Sequence, residues 1–169
     1  MQINVSQLLQ EPTGSTRDYE INEAADIIGD GKEYAVRGVC QLMRTPHSIL
    51  AKCALSTEVE LTCNRCLSRF YHPLKINFDE EFLPTVDIVS GAPLPSPEEA
   101  SAFTIDELHT IDLTEAVRQY AVMAVPMKAL CAQDCAGLCP KCGQNLNQGR
   151  CDCPAQEIDP RWSELTKLL

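Results

Sequence analysis

Three stretches of the chain alternate between apolar and polar positions in the way that a half-buried β-strand does. The cleanest covers residues 49–61, where apolar or small side chains alternate with lysine, serine and glutamate. Residues 34–43 and 70–78 alternate similarly, and a shorter strand is predicted over residues 16–22. Long strands with short connections predict an antiparallel meander that curls toward a barrel.

A helix is predicted over residues 112–125, because apolar residues recur there at helical spacing. Asp112 and Glu115 stand at the positions of a capping pair at its start. We expect the apolar stripe to pack against the sheet; its members are Leu113, Ala116, Val117, Tyr120, Ala121 and Ala124. A last short helix is predicted to start at Asp159-Pro160, with aspartate as the N-cap.

Together these patterns predict an α+β fold. We expect an antiparallel β-meander or partly closed barrel, with one or two packed helices and a small C-terminal cysteine-rich zinc motif. The mainly β domain is predicted over residues 1–125 and includes an acidic, proline-rich exposed loop at 84–101. The cysteine-rich motif and the last helix are predicted over residues 126–169.

Cysteines add a specific chemistry, since the chain holds 10 of them. Six fall close together: Cys131, Cys135, Cys139, Cys142, Cys151 and Cys153. Such a cluster indicates a disulfide framework, a metal site or a redox centre. The first residues lack the basic and apolar regions of a secretory signal, and no stretch approaches the roughly 18 apolar residues of a membrane span. We therefore expect a cytoplasmic protein without membrane contact, whose thiols stay reduced, and we favour zinc.

The clearest ligand pair is Cys139 and Cys142 in the knuckle Cys139-Pro140-Lys141-Cys142-Gly143. Zinc takes four tetrahedral ligands, so a second pair must come from the remaining cysteines, and the spacing does not choose it. Cys63 and Cys66 form another C-x-x-C. They either complete a second zinc site or close a turn as free thiols. Cys40 and Cys53 lie on apolar alternation and are expected to be small core thiols.

An all-cysteine ligand set leaves no open coordination position, so the predicted zinc is structural. Nucleotide-binding glycine motifs and hydrolase motifs are absent from the sequence. We expect no enzyme and no small-molecule substrate. The alternative is a thiol redox protein that uses Cys63 and Cys66, with Arg65 lowering a thiol pKa. A redox C-x-x-C normally opens a helix, whereas this one lies between two strand patterns.

Charge is distributed unevenly along a chain whose net charge is −10. Residues 32–78 carry seven lysines and arginines against three acids, whereas residues 79–119 carry one arginine against ten acids. The middle segment is therefore basic within an acidic protein. Most of its positive charge comes from six residues, which we predict as contacts to a partner: Arg37, Arg44, Lys52, Arg65, Arg69 and Lys75.

Three motifs in order resemble the YceD family, named for large ribosomal RNA subunit accumulation. The first is Leu61-Thr62-Cys63-Asn64-Arg65-Cys66-Leu67 followed by Phe70. The second begins with Cys131 and Cys135, continues through Gly137-Leu138-Cys139-Pro140-Lys141-Cys142-Gly143 to Asn147, and ends with Cys151-Asp152-Cys153. The third is Asp159-Pro160-Arg161-Trp162. The resemblance implies a role in producing or stabilising large-subunit ribosomal RNA, without catalytic residues.

The resemblance also implies a partner in ribosome biogenesis. A large-subunit rRNA precursor would meet the basic middle segment, while a basic large-subunit ribosomal protein would meet the acidic residues 79–119. The sequence leaves both partners open.

Overall fold

The computed structural model describes residues 1–88, 90–95 and 102–154. Its strands are β1 (Gln2–Asn4), β2 (Thr16–Ala25), β3 (Tyr34–Arg44), β4 (Ile49–Thr62), β5 (Arg69–Pro84), β6 (Phe103–Ile105) and β7 (Thr110–Asp112). Its helices are α1 (Ser6–Gln10) and α2 (Thr114–Ala124). The helix predicted from Asp159 and part of the predicted loop lie outside the described residues.

The seven strands form one sheet in the order β1-β7-β6-β5-β4-β3-β2. β2, β3, β4 and β5 follow one another in both sequence and space, so the predicted meander is confirmed. The sheet curls as a half-barrel, and β6 joins β5 in parallel through Phe82↔Phe103. The predicted α+β class is therefore confirmed.

The alternation along β4 buries one face of the strand and exposes the other. Ile49, Ala51 and Leu55 are almost completely buried, whereas Lys52 and Glu58 are exposed. β5 continues the core with Leu74, Ile76, Phe78 and Phe82. Burial of apolar surface at about 25 cal/mol per Å² is the main favourable term for such a core.

Helix α2 packs its apolar stripe into this core, as predicted. Leu113, Ala116, Val117 and Ala121 are buried, although the predicted stripe member Ala124 is exposed. The helix begins at Thr114, two residues later than expected, because Asp112 still belongs to β7 and accepts a hydrogen bond from the Thr114 amide at 2.9 Å. Glu115 does not complete the expected capping pair; it binds Arg118 and Gln119.

β3 and β4 pair over only part of their length. Their ladder runs from Arg37↔Ser56 to Arg44↔Ile49. Among residues 34–36 and 57–59, all of which are described, no strand pairing joins the two strands. Gly38 lies where they diverge, and a Cβ there would stand 2.2 Å from the Ala54 carbonyl oxygen. Glycine is therefore required for this close approach of the two paired strands.

Cys40 and Cys53 lie in the core, but the prediction that they are free thiols was wrong. The β3–β4 register places the two residues directly opposite each other. Their sulfurs are joined as a disulfide. Alternation along each strand identified the buried face, but it carries no information on which residues face each other across the pair.

The chain divides into two compact units. The first comprises Met1–Leu61 and Tyr71–Met127, and the second comprises Thr62–Phe70 and Lys128–Leu169. The β4–β5 connection thus belongs with the C-terminal segment, whereas the domain boundaries expected from sequence, 1–125 and 126–169, stay a prediction. No helix within the described part of the chain is both long and apolar enough to cross a membrane.

Candidate metal centres

Eight cysteines of the second unit form two groups of four. The first group is Cys63, Cys66, Cys131 and Cys135, and the second is Cys139, Cys142, Cys151 and Cys153. Within each group all sulfur atoms lie within 4.8 Å of one another. Each group can therefore hold a metal ion.

The first group is built on a tight turn between β4 and β5. The Leu67 amide donates to the Cys63 carbonyl at 2.9 Å, and the Cys63 amide donates to the Ser68 carbonyl at 2.9 Å. This knuckle requires a left-handed residue, and Leu67 supplies it with φ 57°. The turn points both sulfurs of the C-x-x-C to one side, where they meet the segment that follows α2.

Residues after α2 supply the other two sulfurs of the first group. Cys135 Sγ lies 3.8 Å from Cys63 Sγ, and Cys131 Sγ lies 3.6 Å from Cys66 Sγ. The two segments are also joined without sulfur, since the Asn64 amide donates to the Ala129 carbonyl at 2.8 Å. Three of the four cysteines are buried, and Cys131 is exposed.

Polar side chains surround the first group and fix its backbone. Arg65 Nη1 donates to the Cys135 carbonyl at 3.0 Å. Asn147 Nδ2 donates to Cys135 Sγ at 3.3 Å, and its Oδ1 accepts from the Ala136 amide at 2.8 Å. Hydrogen bonds to a metal-binding sulfur orient it and tune its charge. Arg65 and Asn147 therefore hold Cys135 from both sides.

Gly137 adds a steric requirement beside this group. Its φ is 76°, and a Cβ there would stand 3.3 Å from the Arg65 carbonyl oxygen. Glycine is favoured at such a position both for its backbone conformation and for the close approach.

The second group is local in sequence and repeats the knuckle of the first. The Gly143 amide donates to the Cys139 carbonyl at 2.9 Å, and Gly143 has φ 74°. The Cys139 amide donates to the Gln144 carbonyl at 2.8 Å. Cys151 and Cys153 return to the knuckle after a short turn. Cys139 is buried, Cys142 is exposed and the other two are half-buried.

The spacing of the sulfurs fits a tetrahedral ion. Four sulfurs at about 2.3 Å from zinc stand about 3.8 Å apart, close to the 3.6 and 3.8 Å separations within the first group. Four thiolates in tetrahedral arrangement suit zinc or iron rather than magnesium or calcium, which prefer oxygen. Because all four positions are taken by protein, such an ion would be structural.

Electrostatics also favour a cation in each group. Hydrogen bonds from the backbone of Cys131 and Cys66 lower the pKa of the Cys63 thiol to about 6, while the hydrogen bond with Cys66 raises the pKa of Cys131 to about 12. In the second group, the backbone of Cys142 and Lys141 lowers the pKa of Cys139 to about 6, and the Cys142 side chain raises the pKa of Cys153 to about 12. Several thiolates repel one another unless a cation lies between them.

All six predicted ligands between Cys131 and Cys153 fall in these groups, and the possible second pair, Cys63 and Cys66, falls there too. The structure gives the grouping that the spacing left open. Cys131 and Cys135 belong with the distant pair, and Cys151 and Cys153 belong with the knuckle at Cys139. Each sulfur of Cys63 and Cys66 therefore has cysteine neighbours from the C-terminal segment.

The six predicted partner contacts lie in different settings. Arg37, Lys52 and Lys75 are exposed on β3, β4 and β5, and Lys52 Nζ lies 3.6 Å from Asp79 Oδ2. Arg44 donates to the Glu11 carbonyl in the first unit. Arg65 and Arg69 belong to the second unit, and the Arg65 guanidinium binds the Cys135 carbonyl. Contact of these six residues with a partner stays a prediction.

Sequence reasoning missed the residues that support the cysteines. Asn145 Nδ2 donates to Ser68 Oγ at 3.0 Å, and Asn147 contacts Cys135. Both asparagines lie in the Gln144-Asn145-Leu146-Asn147 run of the second motif. Two asparagines after the glycine at residue 143 favour turns with side-chain hydrogen bonds. This signal predicts that the asparagines lie in turns, but it does not predict which residues they bind.

Comparison with known families identifies a match over most of the chain. The model of a family described as "Large ribosomal RNA subunit accumulation protein YceD" matches residues 51–169. This range is more than half of the chain and contains all eight cysteines of the two groups.

Curated relatives agree with that match. A chloroplastic protein of Arabidopsis thaliana, described as large ribosomal RNA subunit accumulation protein YCED homolog 1, is 36% identical over 62 residues, covering 37% of this chain and 19% of that protein. An uncharacterized protein of Mycobacterium leprae is 29% identical over 109 residues, covering 63% of this chain and 46% of that protein. An uncharacterized protein of Mycobacterium bovis is 31% identical over 110 residues, with 63% and 49% covered. This chain thus spans half or less of the length of each. No solved structure matches the chain.

Proposed function

Because the chain belongs to the YceD family of large ribosomal RNA subunit accumulation proteins, we propose that it is a non-enzymatic ribosome-biogenesis factor that supports accumulation of large-subunit rRNA in the cytoplasm. The observation that carries this proposal is the family match over residues 51–169. No arrangement among the described residues favours the redox alternative over this function.

We also propose that each cysteine group binds one structural zinc ion. The all-thiolate donor set and the sulfur spacing support zinc. In the second group a turn holds Cys139 and Cys142, and no helix or strand contains Cys151 or Cys153. A bound ion would supply the cross-link that a short segment of turns cannot obtain from a hydrophobic core.

The direct partner is a large-subunit rRNA precursor or a basic large-subunit ribosomal protein. Exposed basic residues on the strands, such as Arg37 and Lys75, support RNA. The acidic residues 79–119 support a basic protein. An RNA contact predicts that affinity falls by about 0.7–0.9 log units per log unit of salt for each phosphate neutralised.

Deletion of the gene that encodes this protein tests the function directly. We expect a reduced ratio of large-subunit to small-subunit rRNA, restored by the full chain. A normal ratio in the deletion cells would overturn the proposal. Separately, rapid reduction of a model disulfide by the wild-type protein, lost in Cys63→Ser, would support the redox alternative instead.

Matched variants then separate the two partners. Arg69→Glu combined with Lys75→Glu should abolish binding to precursor rRNA if the basic strand residues hold phosphate, whereas Lys128→Glu, outside the predicted set, should not. If the double variant still binds rRNA and restores the ratio, the basic strand residues are not the contact. The acidic residues 79–119, which would hold a basic ribosomal protein, then become the better candidate.

A further inference from the structure

The incomplete pairing of β3 and β4 leaves an open gap in the first unit. A cavity of about 600 Å³ lies there, lined among others by Glu33, Ala35, Arg37, Glu58, Tyr71 and Pro73. Its borders are strand segments 34–36 and 57–59, which do not pair with each other. An unpaired strand edge presents N–H and C=O groups that can bind another extended chain.

Both ends of this β3–β4 gap are closed by specific contacts. At one end the strands are paired, and Gly38 lies against the Ala54 carbonyl. At the other end Lys32 forms an ion pair with Glu60. The gap is thus a fixed feature of the sheet, about three residues long, or about 10 Å at 3.3 Å per residue.

Charges at the gap favour a cationic occupant. Glu33 and Glu58 are exposed, and neither side chain has a polar partner among the described residues. Arg37 is the one cation among the lining residues. Tyr71 is 70% exposed, so its ring offers a face on which a lysine or arginine can stack. Phosphates of RNA would meet two carboxylates here, and RNA has no repeating amide edge to pair with a strand.

We propose that the β3–β4 gap binds an extended segment of a basic protein, which adds to the open strand edges by main-chain hydrogen bonds. Lysine or arginine side chains of that segment lie beside Glu33 and Glu58, and one of them contacts Tyr71. Main-chain pairing gives affinity in this mode, and side-chain pockets give selectivity. The inference rests on the proposed function only in naming the source of the segment, a large-subunit ribosomal protein.

A defined probe tests the gap with the metal-loaded full chain. The probe is a short capped peptide of alternating lysine and valine. Its binding to the protein is measured by NMR and by amide hydrogen exchange. We expect binding that slows exchange at Ala35, Val36, Thr57 or Glu58. Methylation of the peptide's backbone nitrogens should abolish binding, because it removes the donors that pair with a strand edge.

Charge variants supply the matched control. Glu33→Lys with Glu58→Lys should weaken the peptide by about tenfold, equivalent to about 1.4 kcal/mol, because two attractions become repulsions. Glu20→Lys, an exposed glutamate on β2 outside the gap, should leave affinity within about twofold. Tyr71→Ala should weaken binding of the peptide without changing the NMR resonances of the strands.

Four results would overturn the inference. They are equal binding of the N-methylated peptide, equal loss in Glu20→Lys, preferential binding of a short uridine RNA at these amides, and self-association of the chain through the gap without peptide. None of these depends on rRNA levels. A normal rRNA ratio in cells lacking the chain would instead remove the proposed function and leave peptide binding intact.

Discussion

The two cysteine knuckles have the same backbone hydrogen bond but different surroundings. In each, the fifth residue donates to the carbonyl of the first cysteine at 2.9 Å. The knuckle at Cys63 is buried and supported by Arg65, Asn145 and Asn147, and it binds a segment about 65 residues away. The knuckle at Cys139 is more exposed and closes on itself within 15 residues. The same local device therefore joins distant segments in one place and orders a short loop in the other.

Loss of a ligand from the first group should have the largest effect on the second unit. We expect Cys66→Ser to remove one ion and to separate residues 62–70 from residues 128–138, because the buried thiols lose their cation. Structural zinc contributes about 10–16 kcal/mol of apparent binding free energy. NMR spectra should show disorder in both segments while the first unit stays folded. Retention of all resonances of residues 128–138 would contradict this.

Loss of a ligand from the second group should have a more local effect. Cys142→Ser is expected to disorder residues 139–154, which removes the hydrogen bonds that Asn145 and Asn147 give to the first group. The first group should still keep its ion, since Asn64, Arg65 and Phe70 still hold it. The same spectra compare the two variants directly. If Cys142→Ser releases both metal ions, the groups are not independent.

Arg65 supports the first knuckle through its side chain and is not one of the cysteine ligands. Arg65→Met keeps the aliphatic part of the side chain but leaves the Cys135 carbonyl without its charged donor. We expect the free energy of unfolding to fall by about 1–3 kcal/mol. Denaturation of the metal-loaded chain measures this. Arg150→Met is the matched control, because the side chain of Arg150 has no polar partner among the described residues. Equal loss in the two variants would show that the Arg65 contact does not stabilise the group.

The smallest effect concerns the left-handed residue that ends each knuckle. Leucine at residue 67 is strained at φ 57°, whereas Gly143 at φ 74° is not. Leu67→Gly should raise the free energy of unfolding by about 1 kcal/mol, after the greater flexibility of unfolded glycine is subtracted. Gly143→Leu should lower it. Destabilisation by Leu67→Gly would mean that the exposed leucine side chain makes a stabilising contact.

The strands of the fold were predictable because their alternation is long. Residues 49–61 identify β4 and its buried face, and the strand signals of β3 and β5 are similar. β1, β6 and β7 were missed, since three residues are too few for a period to show. The parallel pairing of β5 with β6 depends on long-range packing that a local pattern does not encode.

The cysteine chemistry was predictable from spacing, but the grouping was not. Cys131 and Cys135 meet Cys63 and Cys66 because residues 62–70 and the segment that begins at Lys128 lie together in the second unit. The hydrogen bond from Asn147 to Cys135 and the Cys40–Cys53 disulfide also depend on which segments the fold brings together. Sequence separation gives no measure of these distances.

Metal content of matched variants tests the central claim most directly, namely that two independent sites pair the cysteines as the structure groups them. Native mass spectrometry should find two zinc ions in the wild-type chain, one in Cys66→Ser, one in Cys142→Ser and none in the double variant. A single ion in the wild-type chain, or no ion in either single variant, would contradict the account.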